Sequence, residues 1–554
     1  MSRKNFAGLA IVASLALIVS GCGAQNTPEA PESTTTGTEA AETTAAEETT
    51  ASGENEKPDA ADKIEQLGFE CKLNYDYIYM DPKAGDDSRL IAIGHYPSIK
   101  LGFYEDSEFS EYQGLYEKLS DSISAYNKDR KENFEALVEE CRELAKDDPR
   151  FDDKSEDAYD YNYSVDTDTT VTRSDSVVFS ISDTTYTFMG GPHPNTVFNC
   201  YNIDSETGKV LKISDVVTDR DAFIDALDKK LHETYPDLDK DLFDPDLNKT
   251  LNDMYDEVDG MSLTYNLTYD SLVVSFAAYE LTPYAVGPLE AVLPFEECKD
   301  IIDSRFIKTA ESYAYEVSTL TPYTFVAKDG SPKTFKVDLE TAQGDYMDDC
   351  YDLTISLDGK EFKDTIMYTY GVFPYLMYEN GKAFLYVRSK TDNDYEFTSI
   401  YDLNGEKASK VEDSMDGSFY SVTPTDPDDF IMFTRSALLS TFSIFRHYEL
   451  DTDGRPLAKT EEWWIQTDNE LTLKKDLTLS IMDELTPDGI DNGKDEKLPK
   501  GTVLKPKRTN GFAWVDAETE DGRYARIYID NSDWPQTVDG VDIEELFDGI
   551  VFAG

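Results

Sequence analysis

Apolar residues recur every three or four positions after residue 114, the spacing that places side chains on one face of a helix. The pattern predicts a long amphipathic helix, or two in tandem, ending at Asp147-Asp148-Pro149, because the residue before a proline disfavours helical backbone. Similar stripes predict a helix over residues 221–235 and a shorter one around Leu251. The stripes comprise Leu115, Leu119, Ile123, Tyr126, Phe134, Leu137, Cys141, Leu144, Phe223, Leu227, Leu231, Leu247, Leu251 and Met254.

Strand-like runs flank a turn at Gly190-Gly191. Residues 176–189 lead into the glycine pair and residues 197–203 leave it, so the segment is predicted to be a hairpin. A second hairpin is predicted at Asp270-Ser271, because apolar residues alternate with polar ones on both sides of that turn.

Beyond residue 308 the pattern changes to short strand-like runs separated by Asx-Gly pairs, which favour tight hairpin turns. We therefore predict an antiparallel all-β region over residues 309–490, either an irregular sandwich or a propeller-like meander. An acidic stretch over residues 488–496 is interpreted as a linker. The pairs are Asp329-Gly330, Asp358-Gly359, Asn380-Gly381, Asn404-Gly405, Asp416-Gly417 and Asp453-Gly454.

The amino terminus carries a basic start and a short apolar run over residues 6–19 that ends in Val19-Ser20-Gly21-Cys22. This arrangement resembles a bacterial lipoprotein signal, which implies that Cys22 is lipidated and anchors the protein on the outer face of the cell membrane. An ordinary secretory signal is the alternative. Residues 23–64, rich in Thr, Glu and Ala, lack the apolar side chains needed for a core and are predicted to form a disordered stalk.

The chain has 112 acidic and 51 basic residues, a formal charge of −61. Phosphates would be repelled along most of such a surface, which excludes nucleic acid as a natural partner. Cationic partners or metal ions are favoured, and a merely well-solvated surface is the simpler interpretation.

Chemistry-bearing motifs are sparse. The five cysteines after Cys22 are widely spaced and predict buried structural thiols, with one disulfide as an alternative. No nucleotide, zinc-protease, hydrolase or calcium-loop motif occurs, so neither a catalytic residue, a metal site nor a cofactor is predicted. Among four scattered histidines, His193 is the best placed for function because two prolines stiffen its loop.

Several separate motifs occur in a characteristic order: the long helix, the loop from Gly190 to Asn195, the turn around Gly208, and residues 279–288. Together they resemble the extracytoplasmic domain shared by RsiV anti-sigma factors and PdaC deacetylases, over residues 65–308. The resemblance implies an α+β domain, which RsiV uses to bind lysozyme and PdaC carries beside its deacetylase domain. The chain begins with a lipoprotein signal rather than a sigma-binding segment, and the zinc deacetylase motifs are missing.

Residues 491–554 resemble a small bacterial SH3-like barrel, on the strength of glycine turns at Gly501 and Gly522 and a strand containing Trp514. The predicted fold is therefore an α+β domain, an all-β antiparallel region and an SH3-like domain.

We expect a surface lipoprotein that binds an extracellular cationic protein such as lysozyme, or a cell-wall polymer. The alternatives are an enzyme that acts on wall polymer through Asp or Glu residues, and a wall-tethered scaffold without a specific ligand. We also expect Gly191→Val to distort the binding loop and His193→Ala to spare the fold. The candidate ligand-binding residues are Gly190, Gly191, His193, Asn195, Tyr279 and Tyr284.

Overall fold

A computed structural model describes residues 64–83, 88–102, 115–151, 163–342, 350–367, 369, 371–391, 395–419, 423–467, 469–486 and 489–552. The predicted signal peptide, Cys22 and the predicted stalk up to residue 63 lie outside the described residues. None of the helices in these ranges is both long enough and apolar enough to span a membrane.

The amino-terminal sheet has five strands, β1 (Phe69–Tyr79), β2 (Leu90–Leu101), β3 (Tyr163–Ser174), β4 (Val178–Phe188) and β5 (Asn195–Asp204). The strands lie side by side in chain order. β2 and β3 run parallel, whereas the other neighbours are antiparallel. A parallel pair requires a long crossover connection, and here the crossover contains helix α1 (Glu117–Asp147).

Helix α1 confirms the long predicted helix and its end before Pro149. The stripe shifts at both ends, since Leu115 is 67% exposed, Leu144 is 44% exposed and Ala145 is buried instead. Arg130 also belongs to the buried face, where its guanidinium pairs with the buried carboxylate of Asp183 at 3.2 Å. The face that α1 covers is thus not wholly apolar.

The next part of the chain pairs a short sheet with helices. Its strands are β6 (Thr264–Leu267), β7 (Ser271–Phe276) and β8 (Leu289–Pro294). Its helices are α2 (Ile213–Val216), α3 (Arg220–Thr234), α4 (Leu247–Tyr255) and α5 (Ser304–Ile307). Single 3-10 turns are formed by Pro149–Phe151, Leu238–Lys240, Val258–Gly260 and Tyr284–Val286.

The predicted stripes on α3 and α4 are buried, and β6 pairs with β7 across the predicted turn at Asp270-Ser271. Asp219 caps α3 by accepting a hydrogen bond from the Ala222 amide. These predictions are confirmed.

Two antiparallel sheets follow. One contains β10 (Tyr323–Val326), β11 (Pro332–Thr341), β12 (Tyr351–Leu357) and β13 (Lys360–Ile366), in that order. The other has the order β17-β16-β15-β14-β9, with β9 (Ser312–Glu316), β14 (Gly371–Glu379), β15 (Lys382–Lys390), β16 (Glu396–Asp402) and β17 (Ser409–Asp416). Tight turns at Asp358-Gly359 and Asn380-Gly381 join neighbouring strands, as predicted.

Strands after residue 429 form an eleven-stranded sheet within the described residues, beside a two-stranded one. The strands are β18 (Phe430–Ser436), β19 (Phe442–Leu450), β20 (Pro456–Ala458), β21 (Trp463–Gln466), β22 (Leu471–Leu473), β23 (Leu477–Met482), β24 (Lys494–Leu498), β25 (Val503–Thr509), β26 (Trp514–Thr519), β27 (Tyr524–Tyr528), β28 (Thr537–Val538), β29 (Val541–Asp542) and β30 (Phe547–Asp548). Helix α6 (Ile543–Leu546) precedes β30.

The linker interpretation of the acidic stretch is wrong for its described part. Strand β24 pairs with β23, and the Asp491 carboxylate accepts hydrogen bonds from Ser480 at 2.7 Å and Tyr528 at 2.8 Å. Sheet pairing therefore crosses residue 490. The described strands close no barrel, and the SH3-like assignment stays a prediction.

The apolar core is also continuous across residue 308. Tyr269, in the turn between β6 and β7, and Val273 of β7 belong to the same buried cluster as Tyr313 and Phe335. Gln66, near the start of the described chain, reinforces this junction: it donates to the Ser312 carbonyl at 2.9 Å and accepts from the Tyr269 hydroxyl at 2.9 Å. The mixed helix and antiparallel sheet composition agrees in outline with the predicted fold class.

Candidate functional site

The turn between β4 and β5 is shaped by Gly190 rather than by Gly191. Gly190 has a φ of +82°, a conformation that L-residues rarely adopt. A Cβ atom there would also overlap the guanidinium of Arg150, which donates from Nε to Asp148 at 3.0 Å. A Cβ atom on Gly191 would approach nothing nearer than 3.5 Å. The backbone constraint therefore acts at Gly190, one residue before the position that the sequence singled out, and the effect of Gly191→Val stays a prediction.

His193 lies against the predicted segment of residues 279–288. Its imidazole stacks on the Tyr284 ring, with ring centres 4.2 Å apart and planes inclined by 17°. Tyr284 in turn lies 5.9 Å from Tyr279, and Tyr279 lies 6.4 Å from Phe243 with nearly parallel planes. We call these four residues, His193, Tyr284, Tyr279 and Phe243, the aromatic row.

The backbone holds the aromatic row in place. Tyr279 has a φ of +75°, a strained conformation for a tyrosine, in a turn closed by its amide donating to the Thr282 carbonyl at 2.9 Å. The Phe243 amide donates to the Leu281 carbonyl at 3.0 Å and so attaches its loop to the same turn. Phe243 is 56% exposed, and the other three rings are half-buried.

The row adjoins an open face of the amino-terminal sheet. In-register pairing across β1 to β4 aligns Tyr75 with His95, His95 with Asp166, and Asp166 with Tyr186. Paired residues share a face, and this face is opposite the one that α1 covers at Val165. Tyr75 is 63% exposed. Aromatic and acidic groups therefore meet on an accessible surface.

Tyr186 connects this face to the aromatic row. Burial, followed by the nearby Asp166 carboxylate and the Tyr284 phenol, raises the pKa of the Tyr186 hydroxyl. Asp166 of the sheet face and Tyr284 of the aromatic row thus both influence the Tyr186 hydroxyl.

His95 is held between two carboxylates. Its Nδ1 lies 3.0 Å from Asp166, and its Nε2 lies 3.1 Å from Asp168. Burial disfavours the imidazolium, but the hydrogen bonds with Asp166 and Asp168 outweigh it and raise the pKa to about 9.

The structure brings together three of the six predicted site residues, His193, Tyr279 and Tyr284, while Gly190 and Gly191 form the adjoining turn. Asn195 begins β5 and pairs with Thr187, on the α1 side of the sheet. Sequence reasoning missed Phe243, although a lone aromatic residue within an acidic stretch was a usable signal. Within the described residues, no three His, Cys, Asp or Glu side chains are grouped for a metal ion.

Two family models match parts of the chain, those of the deacetylase PdaC over residues 112–196 and of a protein of unknown function, DUF3298, over residues 214–296. A DUF3298 structure from Bacteroides fragilis is 19% identical, covering 44% of this chain and 95% of its own, with a TM-score of 0.31. One from Pseudomonas aeruginosa is 15% identical, covering 44% and 97%, with a TM-score of 0.27. No curated protein matches. The chain thus contains a PdaC-like segment, which supplies His193, and a DUF3298 segment, which supplies the rest of the aromatic row.

Proposed function

We propose that this protein is a lipid-anchored extracytoplasmic binding protein, and that it recognises a cationic extracellular protein through the aromatic row and the adjoining open sheet face. The observation that carries the proposal is the stack of His193 on Tyr284, continued through Tyr279 to the exposed Phe243. Exposed aromatic residues held by a rigid backbone are typical anchors of protein interfaces, because they bury large areas at little entropic cost.

Charge supports the choice of a cationic partner. The chain carries 112 acidic and 51 basic residues, and such an excess accelerates encounter with a positively charged protein. Asp166 is in register with Tyr186, and Asp166 and Asp168 both contact His95, so this face of the sheet presents two carboxylates that can attract lysine or arginine side chains. The aromatic row would supply affinity, and the carboxylates would supply the preference for positive charge.

The proposal is tested by measuring binding of the full-length protein to lysozyme at graded salt, with succinylated lysozyme as the charge-reversed control. We expect saturable binding to lysozyme that weakens with salt, and none to the succinylated form. Tyr284→Ala should weaken binding about tenfold, whereas Phe512→Ala should not, because Phe512 is more exposed, at 66%, but lies in the turn between β25 and β26 and not in the aromatic row.

A cell-wall polymer as the ligand, or an enzymatic role, would give different results. A wall-polymer ligand predicts retention on peptidoglycan that Tyr284→Ala abolishes, with no lysozyme binding. An enzyme predicts release of acetate or of sugar fragments from peptidoglycan; deacetylation is included because the PdaC model matches residues 112–196. Turnover without saturable binding of lysozyme would reject the proposed function.

A further inference from the structure

A cavity of about 430 Å³ lies where the sheet of β6, β7 and β8 meets the strands that follow residue 308. Its wall combines Asp270, from the turn between β6 and β7, with Tyr313 of β9 and Tyr378 of β14. The volume falls in the range typical of small-molecule sites, roughly 300 to 1,000 Å³. The cavity is separate from the aromatic row, because the two share no residue.

Asp270 receives hydrogen bonds from hydroxyl groups and from no cation in the described chain. Tyr315 donates to both carboxylate oxygens at 2.9 and 3.0 Å, and Tyr313 donates to Oδ2 at 3.1 Å. The hydroxyls of Thr268 and Ser271 each donate to Oδ1 at 2.9 Å. These contacts orient the carboxyl group, whereas burial raises its pKa, so a cation bound beside Asp270 would stabilise the ionised form.

Three tyrosine rings form a stack along the cavity wall. Tyr313 is the central ring, with its centre 5.2 Å from that of Tyr269 and 4.6 Å from that of Tyr378. The plane of the Tyr313 ring is inclined by 11° to that of Tyr269 and by 20° to that of Tyr378. The face of a tyrosine ring carries negative electrostatic potential, so a ring face that lines the cavity attracts organic cations.

Among the described residues that line the cavity there is no Lys, Arg or His, whereas Glu296 and Glu311 are present. The nearby guanidinium of Arg173 lies 5.8 Å from the Tyr269 ring centre, but it does not line the cavity and is paired with Asp175 at 2.7 Å.

A second polar group at the cavity differs from Asp270, because it has no hydrogen-bond partner in the described structure. The hydroxyl oxygen of Thr309 is buried, lines the cavity and is unpartnered. A buried hydroxyl without a partner is costly, and a ligand that donates to it or accepts from it would remove that cost.

We propose that this cavity binds an organic ammonium group, which pairs with the Asp270 carboxylate, lies against the stacked tyrosines and reaches the Thr309 hydroxyl. The carboxyl group, the aromatic wall and the lack of a cation among the described lining residues together indicate a positively charged ligand. A primary amine, such as a lysine side chain, and a quaternary ammonium, such as choline, share this chemistry.

The experiment titrates the full-length protein calorimetrically with two ammonium probes, choline and Nα-acetyl-lysine methylamide. Each has a neutral isostere as its control, 3,3-dimethylbutanol for choline and Nα-acetyl-norleucine methylamide for the lysine probe. We expect one ammonium probe to bind saturably and its isostere to bind at least about tenfold more weakly, because only the cation pairs with Asp270. The two arms distinguish a quaternary from a primary ammonium.

Variants locate the binding to this cavity. Asp270→Asn should reduce affinity at least about tenfold, and Tyr378→Leu should reduce it while leaving the carboxylate intact. If Asp270→Asn fails to fold, Tyr378→Leu and the isostere comparison still show whether the ammonium group binds in this cavity. Absence of saturable binding by both ammonium probes, equal affinity for a neutral isostere, or wild-type affinity in a folded Asp270→Asn protein would each overturn the proposal.

Discussion

The imidazole of His193 stacks on the phenol ring of Tyr284 at 4.2 Å between ring centres. The two residues belong to segments that match different family models, PdaC for His193 and DUF3298 for Tyr284. Neither segment alone contains the complete aromatic row. A fragment ending at residue 196 or beginning at residue 214 would therefore lose the surface to which we assign recognition.

Replacing His193 should separate binding from folding. The His193 ring contacts Tyr284, and its one described hydrogen bond is a long contact of 3.4 Å to the neighbouring Pro194 carbonyl. We expect His193→Ala to weaken lysozyme binding by about 1 kcal/mol, roughly fivefold, through the lost stacking. Thermal denaturation should give a melting temperature near that of the wild type. A large drop in melting temperature would instead identify the imidazole as a structural group.

Gly190 should be the sensitive glycine of the pair. Gly190→Ala places a side chain at a φ of +82° and against Arg150, which should destabilise the protein by about 1 kcal/mol or more. Gly191→Ala is the matched control, with an expected effect within about 0.5 kcal/mol. Urea denaturation of the two variants measures the difference. Equal destabilisation by both would contradict the assignment.

Stability should fall as the pH rises through the pKa of His95. The folded-state pKa of about 9 exceeds the ordinary value of 6.5, so the imidazolium stabilises the folded state fully below pH 6.5. This contribution, at most about 3 kcal/mol, is lost as the pH passes 9.

His95→Gln removes this titration, so the difference in unfolding free energy between wild type and variant should shrink from pH 6 to pH 10. Urea denaturation at intervals of one pH unit provides the measurement. A difference that does not change with pH would show that His95 does not titrate as described.

Native thiols should react slowly. All five described cysteines are unpaired, and burial raises the pKa of Cys71, Cys141 and Cys200 to about 12. Since thiolates are the reactive form, a thiol-specific reagent at pH 8 should label few of the five before denaturation and all of them afterwards. Mass spectrometry of labelled peptides counts the sites. A disulfide between any two of the five would contradict the structure.

Local periodicity was sufficient to predict helices α1, α3 and α4, but not the single-turn helices α2 and α5. The stripe containing Leu119, Ile123 and Tyr126 is buried because side chains three and four residues apart share a face. The same spacing places position 130 on this face, but it could not indicate that an arginine is accepted there, since the partner of Arg130, Asp183, comes from a distant strand. Charged residues in a core depend on contacts that no local pattern contains.

The candidate site was predictable only in part. The Gly190 turn and residues 279–288 are visible as local motifs, and the structure places His193 against Tyr284. The sequence could not predict that Gly190, rather than Gly191, adopts a positive φ, because either of two adjacent glycines can do so. Phe243 was missed because it joins the row through a contact between loops.

Gln66 gives the junction near residue 308 a mechanical role. If the amino terminus is tethered to the membrane, as its sequence predicts, any pulling force enters the described fold at Ile64, two residues before Gln66. Glu65 is hydrogen-bonded to Ser176, and Gln66 to Ser312 and Tyr269, so tension on the tether is transmitted both to the turn between β3 and β4 and to the wall of the cavity before it reaches β1. Resistance to extraction should then depend on the unfolding rate of this junction, and a ligand in the cavity would strengthen the attachment under load.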